Sequence, residues 1–329
     1  MTEANDLRKK LRDAGLSGPA IDAAWPAWWS DAAETSASAR AELRLALARN
    51  LGLSPKALVG ERVDFVWRDR ARFKHLDADT EIAVAALNSF GTALAGALLQ
   101  AVEPGEGLTG LTARELRSIL LKDRASVDLP GLVTACWALG VPVVQLRVWP
   151  LTKKAMHAMV AERSGRHAIL LARETSYLAA AAFTLAHEMG HVALGHVRSG
   201  ELLVDAEDPG ASGDDEEERE ADRFALELLM GDPDPDIRLN VETFNHAMLA
   251  EAALREGPKY GIDPGTLALA VAHRRDAWPV AMAAMRHIQP EAAPVAQLIN
   301  DVARTQLDLD RLGSDNATFV ARTLGLDGG

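Results

Sequence analysis

The sequence predicts an α+β protein, mostly helical, with a small antiparallel three-stranded sheet packed on one histidine-bearing helix. Three observations lead there. Alanine and leucine dominate a chain of 329 residues that is 48% apolar but only 5% aromatic, a composition that leans to helix. β-Branched residues gather in one span, "VPVVQLRVW" (141–149), and a glycine-turned pair of apolar runs follows it. Elsewhere the apolar residues recur at helical spacing, punctuated by Gly and Pro.

Residues 5–60 read as helical, with Gly52 as a stop and Ser54–Pro55 opening a short further helix. "WPAWW" (25–29) holds three of the seven tryptophans; Trp28 and Trp29 suit a core or a partner surface, and core is the expectation. Residues 61–75 are mixed in charge and read as a connection. The longest apolar run, 82–102, is long enough to span a bilayer. It contains Asn88, Ser89, Thr92 and Gln100 and lacks a basic flank, so a packing helix of small residues is expected, and no membrane.

"EPGEGLTG" (103–110) is a loop, and Thr112 with Glu115 forms a capping box for a helix over 112–124. A further helix covers 129–140, stopped at Gly140. The strand at 141–149 follows, then a hairpin in which "AMHAMVAER" and "HAILLA" flank "SGR" (164–166). A helix is expected at roughly 177–195, an acidic loop at 205–218, and a helix at 218–231 closed by Gly231. Residues 236–329 read as further helices with turns at "GPKYGIDPG" and "IQPEAAP".

The formal net charge is −12, a poor default for binding nucleic acid. The acid is concentrated: residues 205–222 hold 10 Asp/Glu against Arg219 alone, whereas residues 1–75 hold 13 Lys/Arg against 10 Asp/Glu. The single cysteine, Cys136, excludes an internal disulfide and a cysteine-built zinc site. With a charged N-terminus that lacks a signal-peptide core, the expected location is the cytoplasm.

"FTLAHEMGHVALGH" (183–196) carries the chemistry. His187 and His191 are four residues apart, about 40° of helical rotation, so both imidazoles project from one face and can hold one tetrahedral zinc ion. Glu188 lies about 100° round, placed to activate a water as general base, the H-E-x-x-H logic of a metallopeptidase. The third ligand is expected elsewhere. Val197, not a histidine, stands where a metzincin pattern puts its third ligand, and on a continuing helix His196 faces away from His187. His196 stays a candidate for contact with a ligand or the substrate if the helix ends at Gly195.

Register separates the glutamates of "DDEEEREADRFALELL". Glu218, Ala221, Asp222, Ala225, Leu228 and Leu229 share the small, apolar face, so Glu218 is the expected zinc ligand. Asp222, one turn on, is placed to accept the free N–H of a ligating histidine. Glu220 shares a face with Arg223 and Glu227 and reads as solvent; Glu217 lies on the border. The oxyanion stabiliser is open, with His196, Tyr177 and Tyr260 as candidates.

"FTLAHEMGH", followed by "EREADRFALELLM", resembles the ImmA/IrrE family of zinc metallopeptidases. The upstream "GVPVV…AMVAERSGRHAILLA" and the downstream "KYGIDPGTLALAVAH" (259–273) are similar to that family too, so the resemblance covers roughly 130–275. It implies zinc on His187, His191 and Glu218, with Glu188 as catalytic base. It also implies a helix-turn-helix repressor as substrate, cleaved in a stress, phage or mobile-element response. Gly231, Asp232 and Pro233 depart from the family's usual proline after "LLM".

"LALARNLGLSPKALVGE" (45–61) resembles the last part of the helix-turn-helix domain that some members carry. The expected recognition segment, "AIDAAWPAWWSD" (20–31), has no Arg or Lys for phosphate or guanine, so DNA binding is not favoured. Three regions are expected: a helical N-terminal region (1–75), the metallopeptidase core (76–233) and a helical C-terminal region (234–329). The leading expectation is a cytosolic zinc endopeptidase. The alternatives are a DNA-binding regulator whose peptidase-like domain acts as a sensor, and an antitoxin-like partner-binding protein with an inert zinc site.

Overall fold

A computed structural model describes residues 2–54, 71–74, 81–151, 156–198, 200–205, 216–237 and 243–327. The chain begins with helices α1 (Glu3–Asp13), α2 (Gly18–Ala24) and α3 (Ala37–Leu51). Ser17 and Ser36 cap α2 and α3 as side-chain acceptors. Gly52 ends α3 at φ 67°, and a Cβ there would come within 2.5 Å of the Ser89 carbonyl oxygen, so glycine is required on two counts. The short helix expected after Ser54 lies outside the described residues. Trp25 is buried, while Trp28 is partly exposed and donates its indole N–H to Asp315.

Strand β1 (Ala71–Lys74) precedes α4 (Glu81–Gln100), the apolar helix. Among the described residues no helix is long and apolar enough to cross a membrane. The small residues of α4 serve packing: a Cβ on Gly91 would strike Met159, and one on Gly96 would strike the Arg163 guanidinium. Next come α5 (Ala113–Leu120), which carries the expected Thr112–Glu115 capping box, and α6 (Leu129–Ala138).

Strands β2 (Val143–Gln145), β3 (Ala158–Arg163) and β4 (Arg166–Leu171) follow. The expected strand at 141–149 is cut to its middle. Beyond Leu146 the backbone turns away from β4, and the N–H groups of Arg147 and Val148 donate to the Thr323 carbonyl. The hairpin is as expected. Ser164 (φ 56°) and Gly165 (φ 77°) form a two-residue turn with both residues left-handed, between the paired Arg163 and Arg166. The buried Glu162 carboxylate accepts the backbone N–H groups of Gly165 and Gly200.

Helix α7 (Leu178–Ala193) bears the histidines. Strand β5 (Leu202–Asp205) and α8 (Glu216–Met230) come next, then α9 (His246–Glu256), α10 (Pro264–Arg275), α11 (Trp278–Ile288), α12 (Val295–Gln306) and α13 (Ser314–Leu324). The class is α+β, but the expected three-stranded antiparallel sheet needs correction. Five strands run in the order β1-β5-β3-β4-β2. β3 is antiparallel to β4 and β5, whereas β2 is parallel to β4 and β1 to β5. β1 and β5 have four residues each, too few for their alternation to stand out beside charged neighbours.

One buried apolar cluster runs from Leu7 to Leu324, through α4, the sheet, α7 and α8, and out to α12 and α13. A smaller cluster joins α9, α10 and α11 to Ala179 near the start of α7. Helix α7 is therefore held from several sides, which fixes the histidine face.

Candidate metal centre

Helices α7 and α8 pack closely, and the reason is local. A Cβ on Gly190 would lie 3.1 Å from both the Cα and the carbonyl oxygen of Ala221, and 3.2 Å from the Phe224 Cβ. Glycine on one helix and alanine on the other let the backbones approach, beside His191 and about one turn from His187 and Glu218. The buried face of α8 contains Glu218, Ala221, Asp222, Ala225, Leu228 and Leu229, the face that the spacing predicts.

His187, Glu188 and His191 are fully buried, and Glu218 is 6% exposed. The Nε2 atoms of His187 and His191 lie 3.0 Å apart. Glu218 places Oε2 3.2 Å from His187 Nε2 and Oε1 3.4 Å from His191 Nε2. Tetrahedral zinc, with donors at about 2.0–2.2 Å, separates its ligand atoms by roughly 3.3–3.5 Å. Two imidazoles and one carboxylate that converge at this spacing fit a zinc ion in both geometry and donor type.

The electrostatics agree. Burial opposes a charge on His187, but hydrogen bonds to Asp222 and Glu218, with the charges of Glu188 and Asp222, outweigh it and push the pKa up to about 10. Three carboxylates around two imidazoles favour positive charge at this point.

Both histidines are oriented from behind. Asp222 Oδ1 lies 2.9 Å from His187 Nδ1. His191 is backed by His196, whose Nδ1 lies 3.0 Å from His191 Nδ1. His196 Nε2 in turn lies 3.0 Å from Glu220 Oε2. The tautomers follow from the network. If His191 Nε2 presents a lone pair to the metal, its Nδ1–H donates to His196 Nδ1, and His196 Nε2–H donates to Glu220.

His196 reaches this place because α7 stops at Ala193. Gly195 is left-handed at φ 75°, and His196 N–H returns to the His191 carbonyl. The side chain thus folds back where a continued helix would carry it away. Glu220 corrects a simple solvent reading: its side chain is 48% exposed, yet its carboxylate holds His196. Tyr177 precedes α7, ten residues and so about 15 Å of helix from His187. Tyr260 is 68% exposed, in the turn before α10.

The site sits inside a recognisable segment. Residues 138–251, from the end of α6 into α9, match the IrrE N-terminal-like domain of peptidase family M78. The matched segment spans about a third of the chain and holds the histidine helix and α8, the parts whose motifs resemble the ImmA/IrrE metallopeptidases. No curated protein and no solved structure matches the chain.

Proposed function

We propose that the protein is a zinc-dependent endopeptidase that cleaves a regulatory protein, with a helix-turn-helix repressor as the substrate class. The convergence of His187, His191 and Glu218 beside Glu188 carries the reading. A zinc ion bound there supplies Lewis-acid polarisation of a peptide carbonyl and makes a water easier to deprotonate. Glu188, next in sequence to a ligand and on the same helix, takes the proton of the attacking water and passes it to the leaving amine. Asp222 holds the His187 tautomer, and His196 with Glu220 holds that of His191. The complete burial of His187, Glu188 and His191 suits a peptidase that is opened by a signal or by its substrate.

A DNA-reading role for the N-terminal region gains little support from α2. Ala20, Ile21, Ala23 and Ala24 are buried, and the helix packs against α13. A reading helix needs an exposed, donor-bearing face.

The test has two arms. Zinc per chain is measured in gently purified wild type, Glu218→Ala and Glu188→Gln. About one zinc is expected in wild type and Glu188→Gln, lost in Glu218→Ala. No zinc, and none taken up on titration, overturns the metal site. New protein termini are then compared in cells expressing wild type or Glu188→Gln. A repressor fragment found only with wild type is expected; identical profiles from zinc-loaded proteins overturn the peptidase reading.

A further inference from the structure

Across the sheet from α7, a cavity of about 480 Å³ opens between α3, α4, the β3–β4 turn and α13. Its polar wall is cationic: Arg49, Arg163 and Arg166 line it, with Gln100, Ser164 and Asn316 as neutral groups. No carboxylate lines it among the described residues. That is unexpected in a chain of net charge −12, where guanidinium groups are readily neutralised.

The three arginines differ in employment. Arg166 donates to the carbonyls of Leu99, Val102 and Glu103, so it is fixed on the C-terminal end of α4. Arg49 and Arg163 are exposed, and neither forms an ion pair with a carboxylate among the described residues. Arg163 lies over Gly96, where a Cβ would come within 2.1 Å of its guanidinium. The Arg49 guanidinium lies near Gly313, at the start of α13. The floor stays open because Ala93, Gly96 and Ala97 follow helical spacing along α4 and have no bulk.

The guanidinium groups of Arg49 and Arg163, which have no carboxylate partner among the described residues, attract an anion into the cavity they line. Their planar forks match phosphate oxygens, and the volume lies in the range of small-molecule sites. We infer that this cavity binds a small phosphate-bearing ligand, a nucleotide or an inorganic polyphosphate. The site is separate from the metal centre and does not depend on peptidase activity. It joins α3, α4 and α13, so its ligand bridges segments from the start, middle and end of the chain.

The test is calorimetric titration of the full-length, zinc-loaded protein with inorganic pyrophosphate and with ATP, at low and moderate salt. Saturable binding that weakens with salt is expected. Arg49→Gln with Arg163→Gln weakens it by at least about tenfold, and Ala93→Glu, which places a carboxylate in the wall, abolishes it. Melting temperature and zinc content report that each variant is folded. Equal affinity for both probes indicates a polyphosphate ligand, and tighter ATP binding a nucleotide. No saturation by either probe overturns the inference, as does binding unchanged in the double variant. An oligonucleotide that binds where both small probes fail overturns it too, in favour of a nucleic-acid surface.

Discussion

His191 can serve a metal only if its remote nitrogen keeps a proton, and the group that accepts this proton is His196, 3.0 Å away. His196→Ala removes that acceptor and leaves a buried N–H to find water. We expect zinc affinity, measured by chelator competition, to fall about ten- to a hundredfold with the stoichiometry kept. The visible spectrum of the cobalt-substituted protein should shift as well, because His191 is free to turn; a variant with wild-type affinity and spectrum sinks the assignment. Glu220→Gln should cost less, since its half-exposed carboxylate is replaceable by water. His187, His191 and Glu218 were legible in the sequence because helical register alone decides which face they share. His196 was legible only conditionally, because its place depends on a left-handed Gly195 that ends the helix before it, and register alone does not say where a helix stops.

At the scale of elements, the site depends on how closely α7 and α8 approach. Gly190→Ala gains about 1 kcal/mol of helix propensity but sets a methyl against the backbone of Ala221. Backbone inside a packed helix pair yields less readily than a side-chain tip, so overpacking should prevail. A net loss of roughly 1–2 kcal/mol in denaturant melts is expected, with weaker zinc binding as Glu218 is pushed from the histidines. A more stable variant with full zinc affinity would show that the helices can part. Helix caps give a second case. Asp263 caps α10, and burial raises its pKa, with the charge of Asp128, the α6 cap, adding to the rise. A raised carboxylate pKa means the ionised form weakens the fold at neutral pH, a cost absent below the ordinary carboxylate range. Asp263→Asn keeps the cap, so it should stabilise at pH 7 by a few tenths of a kcal/mol and lose that advantage near pH 3. Equal stability curves at both pH values would refute this. Capping and the hairpin turn were readable because they rest on neighbours in sequence. β1 and β5 were not, since four-residue strands exist only through the partners they find.

For the whole molecule, the question is how helices at both ends of the chain come to share one core with the segment that holds the candidate metal centre. The junction is the free side of β2 and the chain just after it. β2 pairs with β4 on one side, and on the other a single side chain stands in for a strand. Asn300 of α12 accepts the Gln145 N–H at 2.8 Å and donates to the Gln145 carbonyl at 2.8 Å. It also donates to the Leu324 carbonyl at the end of α13. Two residues further on, Arg147 and Val148 bond to Thr323, and the Pro150 carbonyl accepts the Ser17 N–H at the start of α2. N-terminal and C-terminal helices thus meet on one short segment. Asn300→Ala leaves the buried Gln145 backbone groups without these bonds and should cost about 3 kcal/mol. Asn300→Asp keeps the acceptor but sets a carboxylate against two carbonyl oxygens, and should cost at least as much. If the shared core makes the chain one cooperative unit, both variants unfold in a single transition at lower denaturant with the slope unchanged. A separate early transition, with the core around His187, His191 and Glu218 melting as in wild type, would mean instead that α12 and α13 only cover the sheet edge.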